Sequence, residues 1–313
     1  MKVLVTGAAG FIGSHTAERL KDLGYEVIGI DNFSPYYDVK LKRLNENALN
    51  KKGIKIINKD LNSPDLLDFL PNDINYVFHF VAQPGISQSS TFQDYLKNNV
   101  LATKNIMDYA AQLSCLNMFV NIGTSSVYGL EAISAEDTAP KPASFYGVTK
   151  LAAEQLVLQK SREKQIKACS LRLYSVIGPR ERPEKMYTKL IKLGLKGKSF
   201  PLFEGSDKHL RSFTFVGDIV DGIVSIIGKE EILNDEILNL GTEAEYTTQQ
   251  GIETVEKVIG KSISIEVIPK RPGDQLRTCA NIDKARKLLN YNPTTTLLEA
   301  VEKQVEWYKN NFL

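Results

Sequence analysis

The sequence predicts an α/β fold, a doubly wound parallel sheet followed by a smaller C-terminal α/β cap, and two patterns indicate it. Short apolar runs alternate with amphipathic stretches in the first half of the chain, which is the order expected of βαβ units. The apolar runs are almost continuously hydrophobic, as in strands that are covered on both faces. The predicted strands cover residues 2–7, 25–31, 54–60, 74–82, 116–126 and 167–176.

A helical pattern between the predicted strands and an irregular pattern in the second half of the chain complete this prediction. Residues 95–113 place apolar side chains at three- and four-residue steps, which predicts a helix. After Gly178 the pattern becomes irregular, and prolines separate short elements. We therefore predict a first domain over residues 1–176 and a cap over 177–313, with the more regular stretch 211–240 returning to the first domain.

The composition argues against several classes of protein. The 313 residues carry 39 basic and 37 acidic side chains, a net charge of +2 without a basic block, so nucleic acid is not expected as a partner. No apolar run approaches the ~18 residues of a transmembrane helix, and the N-terminus leads straight into an apolar strand, unlike a signal peptide. Neither the three cysteines nor the three histidines have the spacing of metal ligands. We expect a soluble cytoplasmic protein with reduced thiols, no metal and no membrane partner.

Three glycines lie between the first predicted strand and the helix that follows it. Gly7, Gly10 and Gly13 would provide, in turn, a tight turn, room for the backbone to approach a pyrophosphate, and close packing of helix on strand. The free N–H groups at the helix N-terminus favour phosphates. Asp31 ends the next predicted strand, where a carboxylate can bind the adenosine ribose and would repel a 2′-phosphate. The pattern predicts a Rossmann-type domain that binds NAD; the alternative is a plain sharp turn with Asp31 capping a loop.

A tyrosine and a lysine stand four residues apart in the predicted helix ASFYGVTKLAAE. Tyr146 and Lys150 would share one helix face, one turn apart. This geometry permits a proton-transfer pair but does not distinguish it from two neighbouring surface side chains. Taken alone, the pair leaves both interpretations open.

Several motifs together resemble the extended short-chain dehydrogenase/reductase superfamily. They are TGAAGFIG at the start, Thr124-Ser125-Ser126 after a mid-chain strand, and Tyr-x-x-x-Lys some twenty residues later. NNVLATKNIMDYA, RLYSVIGPRERPE, LRSFTFVGD and RPGD are similar to stretches of the nucleotide-sugar epimerases and dehydratases within it. The greatest resemblance is to the UDP-glucuronate 4-epimerases, in which a Gly-Pro-Arg-x-Arg-Pro segment is characteristic. It covers essentially the whole chain.

The resemblance implies a set of site residues. Tyr146 would take the proton of the sugar 4-hydroxyl as hydride leaves and later return it, and Lys150 would lower the pKa of the phenol and hold the nicotinamide ribose. Thr124, Ser125 and Ser126 would hydrogen-bond the sugar O4, unless they form an ordinary polar cluster at a strand end. The implied cofactor residues are Gly7, Gly10, Phe11, Ile12, Gly13, Asp31, Asn32, Asp60, Leu61, Val81, Gln83, Asn98, Tyr146 and Lys150. The implied substrate residues are Pro84, Ser175, Arg182, Arg211, Arg271 and Asp274.

The resemblance also bears on the reaction. Related 4,6-dehydratases carry an acidic pair after the threonine and UDP-glucuronate decarboxylases usually carry a glutamate there, whereas this chain has two serines, which favours an epimerase. Arg211 and Arg271 would bind the diphosphate. Arg182 would face the sugar carboxylate, unless it forms a surface ion pair with Glu181 or Glu184.

Departures from the resemblance leave the sugar open. Gln88 lies in a loop where relatives often have arginine, and Ser212 stands where they have aspartate. UDP-glucose or UDP-N-acetylglucosamine are therefore alternative substrates, followed by a decarboxylase, a dehydratase and a non-catalytic dinucleotide sensor. Finally, the resemblance implies a homodimer in which helices near 95–113 and 146–160 form a four-helix bundle.

Overall fold

A seven-stranded parallel sheet forms the centre of the structure, a computed structural model in which we describe residues 1–85, 90–270 and 275–313. The described strands are β1 Lys2–Thr6, β2 Glu26–Asp31, β3 Lys55–Asn58, β4 Tyr76–His79, β5 Met118–Thr124, β6 Glu131–Ala132, β7 Ala168–Leu173, β8 Val176–Ile177, β9 Phe200–Phe203, β10 Leu210–Arg211, β11 Thr214–Phe215, β12 Ile237–Leu240, β13 Tyr246–Thr247, β14 Ile265–Ile268 and β15 Arg277–Thr278. The central sheet has the order β12-β7-β5-β4-β1-β2-β3, with every neighbouring pair parallel. The predicted doubly wound α/β fold is thereby confirmed.

Helices cover this sheet and form a second group beside it. They are α1 Phe11–Asp22, α2 Val39–Lys51, α3 Phe92–Tyr95, α4 Ala102–Ala110, α5 Phe145–Arg162, α6 Met186–Leu195, α7 Val216–Val224, α8 Glu230–Leu233, α9 Thr248–Ile259, α10 Asp283–Leu289 and α11 Leu297–Phe312. A π-helical turn, Leu96–Leu101, joins α3 to α4, and 3-10 turns cover Leu66–Phe69, Ser125–Tyr128 and Ser206–Lys208. The N-caps Ser144, Thr247 and Thr296 fix the starts of α5, α9 and α11, each accepting a backbone N–H bond from three residues on.

Apolar side chains fill both faces of the central sheet. Val3 and Val5 of β1 belong to the core under α1, α2 and α7, whereas Leu4 belongs to the core under α4 and α5. Successive side chains of a strand point to opposite faces, so a strand with two buried faces needs an uninterrupted apolar run. This explains why the strands of the first half could be predicted from their composition.

The six predicted strands are all present, but one of them is interrupted. The predicted strand 167–176 belongs to the central sheet only as far as Leu173. Its last residue, Val176, lies in β8, which pairs with β11 instead. The turn between them is stabilised by a 2.8 Å hydrogen bond from the Thr214 N–H to the Ser175 carbonyl. Apolar residues continue through both pieces, so the pattern did not reveal the break. The predicted helix 95–113 is also divided, because the π turn separates α3 from α4.

A third apolar cluster lies beyond β8 and joins α6, α9 and α11. Beside it, β9 and β14 form a parallel pair, and β13-β10-β15-β6 forms a small mixed sheet. Strand β12 lies in the central sheet next to β7, and α7 packs against α1, so part of the stretch 211–240 contacts the first core. Ala285 and Leu289 of α10 contact the same core. The two-domain division itself stays a prediction.

The order of the strands reverses between β1 and β4. From β1 the chain proceeds to β2 and β3 on one side, and from β4 to β5 and β7 on the other. Doubly wound sheets bind ligands beyond the carboxyl ends of the strands at such a reversal. Thr6, His79 and Thr124 end β1, β4 and β5 at this edge.

Candidate active site

The glycine turn between β1 and α1 lies at the reversal point. Gly7 has a φ of +69°, a conformation that favours glycine, and its N–H donates to the Ile30 carbonyl over 2.7 Å. A Cβ on Gly13 would lie 2.4 Å from the Gly7 carbonyl oxygen, so only glycine allows α1 to pack against the turn. In the described part of the chain no side chain caps α1 at Gly10. Its first N–H groups are thus left to bind an anion.

Asp31 holds the glycine turn from the end of β2. Its carboxylate accepts hydrogen bonds from the N–H groups of Ala9 over 3.1 Å and Phe33 over 2.8 Å. On the other side of the turn, the Asn45 side chain donates to the Ala9 carbonyl over 2.9 Å. Lys42 Nζ, also buried, lies 3.4 Å from the Asp31 carboxylate and balances its charge. Both backbone groups of Ala9 are therefore held by buried side chains.

Lys42 and Asn45 were not predicted from the sequence. With Leu49 they form the buried set of α2, at steps of three and four residues. Polar side chains on the apolar face of a helix need buried hydrogen-bond partners. The position of Lys42 and Asn45 on the apolar face of α2 is the sequence feature from which they could have been predicted.

Three of the predicted cofactor residues lie together beyond β2 and β3. Asn32 Nδ2 donates to the Asp60 carboxylate over 3.1 Å, and Leu61 is buried. Burial acts to raise the pKa of Asp60, but hydrogen bonds from Asn62 and Asn32 outweigh it and lower this pKa below its usual value. Asp60 is therefore a carboxylate at neutral pH. Two further predicted residues, Phe11 and Ile12, are the first residues of α1 and pack on the core.

Asn99 ties the loop after β4 to helix α5. Its Oδ1 accepts from the Gln83 N–H over 2.7 Å, and its Nδ2 donates to the Thr149 hydroxyl over 2.9 Å. The predicted cofactor residue Asn98 instead donates to the Asp94 carbonyl, one turn earlier on the same helix. Asn99 was not predicted, because the π turn changes which asparagine faces inward and a 3.6-residue period does not reveal such a turn.

His79 lies buried below the edge of the sheet. Its Nδ1 is 2.8 Å from the Thr6 hydroxyl and its Nε2 is 2.9 Å from the Thr103 hydroxyl. Burial, with the charge of Lys150 as a second cause, lowers the pKa of the imidazole to about 3. The Thr6 hydroxyl also accepts a 3.3 Å hydrogen bond from the N–H of Val81, another predicted cofactor residue. His79 is thus a neutral group that fixes the start of the loop after β4.

Tyr146 lies in the first turn of α5, next to the end of β5. Burial raises the pKa of its phenol, and a hydrogen bond with the Thr124 side chain and the charge of Arg182 act in the opposite direction. The Tyr95 ring lies 6.2 Å away. The resemblance implies that Lys150 lowers this pKa; in the protein alone burial has the largest effect on it, and the charge of Arg182 opposes that effect.

Gly147 allows Tyr146 to approach Thr124. A Cβ at Gly147 would lie 2.6 Å from the Ser126 carbonyl oxygen. The Thr124 hydroxyl accepts from the Ser126 N–H over 3.2 Å and so closes the 3-10 turn that α5 packs against. Thr124 and Ser125 are buried, and Ser126 is half-buried. The predicted cluster and Tyr146 are thereby brought together.

Lys150 is buried one turn after Tyr146. Burial lowers the pKa of its ammonium group, and the charge of Glu154, a further turn along the helix, offsets part of this effect. The resulting pKa is about 8. Glu154 accepts two hydrogen bonds from the Arg172 guanidinium, over 3.0 and 2.7 Å, and one from Ser170 over 3.1 Å. This buried pair was not predicted, although an arginine inside an apolar strand indicates a buried partner.

Arg182 lies between the loop after β4 and the segment after β8. Its Nη1 is 3.5 Å from the Pro84 carbonyl oxygen and 2.5 Å from the Glu184 carboxylate. The ion pair that the sequence left open is therefore formed, with Glu184; Glu181 is buried and accepts hydrogen bonds from other side chains. The same guanidinium is close enough to lower the pKa of Tyr146.

Four of the predicted substrate residues remain, spread from the end of the first predicted domain to the C-terminal part of the cap. Ser175 follows Tyr174 in the turn between β7 and β8 and is half-buried. Arg211 donates to backbone carbonyls of Leu210 and Gln275. Gln88, Arg271 and Asp274 lie outside the described residues.

Within residues 1–85, 90–270 and 275–313, no group of three or more His, Cys, Asp and Glu side chains could hold a metal ion. In the same three segments, no helix combines the length and apolar character needed to cross a membrane.

Comparison with known families identifies the chain. The model of the NAD dependent epimerase/dehydratase family matches residues 3–241. The chain belongs to this family. The predicted resemblance and the predicted cofactor are thereby confirmed. The site fits NAD, because Gly13 leaves room for the turn, α1 offers uncapped N–H groups, and Asp31 lies at the end of β2.

Members of the family from several organisms are similar over their whole length or most of it. The structure of UDP-glucuronic acid 4-epimerase from Bacillus cereus, in complex with UDP-glucuronic acid and NAD, superposes with a TM-score of 0.94 at 35% identity, covering 100% of both chains. An uncharacterised UDP-glucose epimerase of Bacillus subtilis is 35% identical over 98% of both chains. UDP-glucuronate 4-epimerase 4 of Arabidopsis thaliana is 33% identical over 98% of this chain and 75% of its own length.

Proposed function

We propose that this protein interconverts UDP-glucuronate and UDP-galacturonate by NAD-dependent 4-epimerisation through a 4-keto intermediate. The observation that carries the proposal is that Tyr146 lies against Thr124 at the carboxyl end of β5, one helical turn from the buried Lys150 and within the field of Arg182. The similarity to UDP-glucuronate 4-epimerases from Bacillus cereus and Arabidopsis thaliana supports the same reaction.

We assign NAD to the crevice at the reversal of the strand order. The N–H groups that follow Gly10 would bind its pyrophosphate, and Asp31 would bind the adenosine ribose. On this assignment Lys150 and Tyr146 hold the nicotinamide ribose. The other proposed contacts are Gly7, Phe11, Ile12, Gly13, Asn32, Asp60, Leu61, Val81, Gln83 and Asn98.

The chemistry that NAD supplies when bound is reversible removal of hydride from C4 of the sugar. Tyr146 accepts the O4 proton as the C4–H bond breaks, which leaves a 4-ketone. After the sugar turns, Tyr146 returns the proton to O4 as hydride enters C4 from the opposite face, so no atom is gained or lost. The Lys150 and Arg182 charges stabilise the phenolate form of Tyr146, and Thr124 and Ser126 hold O4.

The sugar is selected by charge. Arg182 would bind the carboxylate of a uronate, while Arg211 and Arg271 would bind the diphosphate. Ser125 and Ser126 place no carboxylate beside C4, so the ketone is reduced again rather than undergoing elimination. UDP-glucose is a second candidate, because Arg182 and Glu184 together carry no net charge, which suits a neutral sugar; the Bacillus subtilis relative bears that substrate in its name.

We also propose a homodimer in the cytoplasm. Phe92, Leu101, Phe145 and Val148 are exposed apolar side chains on α3, the π turn and α5, and the Phe92 and Phe145 rings lie 5.3 Å apart. A four-helix bundle with a second copy would cover them. The three cysteines are free thiols, which suits a reducing compartment. Light scattering should give twice the chain mass for the native protein and a single chain mass for Val148→Lys.

Proton NMR of the sugar anomeric signals tests the function directly. The purified protein is incubated separately with UDP-glucuronate, UDP-glucose and UDP-N-acetylglucosamine. We expect UDP-galacturonate to form from the first, and Tyr146→Phe to lose turnover while still binding NAD. Conversion of UDP-glucose alone would establish the second candidate, and a UDP-pentose would mean that the enzyme decarboxylates its substrate.

A further inference from the structure

Cations and carboxylates gather in the segment after β8. Burial lowers the pKa of Lys185, the charges of Arg182 and Arg211 lower it further, and the charges of Glu181 and Glu184 oppose them. Lys185 therefore lies within electrostatic range of three charged neighbours in this segment and of Arg211 in β10. Their arrangement decides what net charge the proposed sugar site offers.

The two glutamates of this segment differ in how firmly their carboxylates are held. Glu181 is buried, and its carboxylate accepts from the Thr188 N–H over 3.1 Å and from Gln304 over 2.8 Å. The Glu184 side chain is 38% exposed, and its partner is Arg182, 2.5 Å away. Glu184 is thus the carboxylate of the pair that can leave its place without breaking a buried network.

The guanidinium of Arg182 is more firmly held than Glu184. Its side chain is only 15% exposed. It donates to the Pro84 carbonyl, its centre lies 5.9 Å from the Tyr36 ring, and its Nη2 would be 3.3 Å from a Cβ on Gly85. The guanidinium therefore contacts the start of the loop after β4 and Tyr36 as well as the Glu184 carboxylate.

We propose that Glu184 determines specificity, as an internal carboxylate that occupies Arg182 and must leave it before the carboxylate of a uronate sugar can bind there. The inference rests on the assignment of the sugar site to Arg182 in the proposed function. A neutral hexose does not compete for the guanidinium, so Glu184 lowers the affinity for UDP-glucuronate and not for UDP-glucose. Two carboxylates at one guanidinium would repel each other, which is why one has to be displaced.

Glu184→Gln tests this inference, since glutamine keeps the shape and removes the charge. Calorimetric affinities for UDP-glucuronate and UDP-glucose are measured on the NAD-loaded protein in the Tyr146→Phe background, in which turnover is expected to be lost. We expect UDP-glucuronate to bind about tenfold more tightly, or about 1.4 kcal/mol, and UDP-glucose to change less than about twofold. Added salt should reduce the gain.

Two further variants make the result specific. Glu243→Gln removes a carboxylate from another surface pair, with Arg286 2.8 Å away, and should leave both affinities as they were. In an Arg182→Gln background, Glu184→Gln should no longer tighten UDP-glucuronate binding. Unchanged or weaker binding of UDP-glucuronate to Glu184→Gln would overturn the inference, because Glu184 would then only orient Arg182. Tighter binding without turnover of UDP-glucuronate by the native enzyme would support the inference while refuting the proposed function.

Discussion

The side-chain amide of Asn99 donates a hydrogen bond to the Thr149 hydroxyl over 2.9 Å, while its oxygen accepts from the Gln83 N–H over 2.7 Å. Asn99 lies in the π turn, Gln83 in the loop after β4, and Thr149 in the same helix as Tyr146 and Lys150. One buried side chain therefore sets the distance between a predicted cofactor loop and the predicted catalytic helix.

Asn99→Ala should reduce both stability and turnover. It leaves the Gln83 N–H and the Thr149 hydroxyl without this partner, at a cost of about 1–3 kcal/mol in the free energy of unfolding. A small misplacement of α5 should lower kcat by roughly tenfold or more. Urea denaturation and initial rates measure the two effects.

Asn98→Ala is the matched comparison, because Asn98 was predicted to bind the cofactor. Among the described residues the Asn98 side chain is hydrogen-bonded to the Asp94 carbonyl, and loss of this bond should change the stability by less than about 1 kcal/mol. A larger loss of stability for Asn98→Ala than for Asn99→Ala would contradict our account of the π turn.

Gly147→Ala should push α5 away from the end of β5. The added Cβ would meet the Ser126 carbonyl at 2.6 Å, and overpacking of this kind costs about 1–3 kcal/mol. Because Tyr146 precedes Gly147, we expect kcat to fall by more than the loss of stability explains. Ser144→Ala, which removes the N-cap bond, should cost about 1 kcal/mol with a smaller effect on rate. Full activity of Gly147→Ala would refute this view of the helix contact.

Glu154→Gln should be strongly destabilising, because it leaves the Arg172 charge buried without its partner. Removing one member of a buried ion pair costs about 3–5 kcal/mol in the free energy of unfolding. Glu154→Leu combined with Arg172→Met should recover much of that loss. Equal stability of the single and double variants would contradict the claim. Chemical denaturation provides the measurement.

The same variant should change the pH profile of the reaction. In the proposed mechanism Lys150 carries a proton and stabilises the phenolate. Burial lowers the pKa of its ammonium group and the charge of Glu154 raises it, and the balance is a pKa of about 8. Without Glu154 this pKa falls further, so kcat/KM should decline at a lower pH on the alkaline side. An unchanged alkaline limb would show that Glu154 does not act on Lys150.

His79 should make the fold sensitive to acid. Burial lowers the pKa of its imidazole from 6.5 to about 3, so below pH 6.5 the unfolded chain binds a proton that the folded chain does not. Stability therefore falls as pH decreases from about 6.5 to 3, by about 2 kcal/mol at pH 5. His79→Gln should lose less stability between pH 7 and pH 5 in urea titrations. Equal losses would mean that other groups cause the acid sensitivity.

Local patterns in the sequence predicted the features that depend on neighbouring residues. The turn from Gly7 to Gly13, the place of Asp31 after β2 and the common face of Tyr146 and Lys150 each follow from spacing within a single element or between adjacent ones. Such spacing fixes geometry whatever the rest of the chain does.

Features set by contacts between distant segments could not be predicted in this way. Arg172 and Glu154 are eighteen positions apart and meet only once α5 packs on β7. Arg182 had two adjacent glutamates as possible partners, and packing of Glu181 against Gln304 leaves Glu184 for the ion pair. The break at Ser175 arises because β8 pairs with β11, far along the chain.

The measurement that tests the central claim most directly is epimerisation of UDP-glucuronate in deuterium oxide, followed by proton NMR. If Tyr146 moves only the O4 proton and the C4 hydrogen stays within the enzyme as hydride, the UDP-galacturonate formed should keep protium at C4. Deuterium at C4 would show that this carbon is inverted by exchange of its hydrogen with solvent, and would contradict the proposed mechanism.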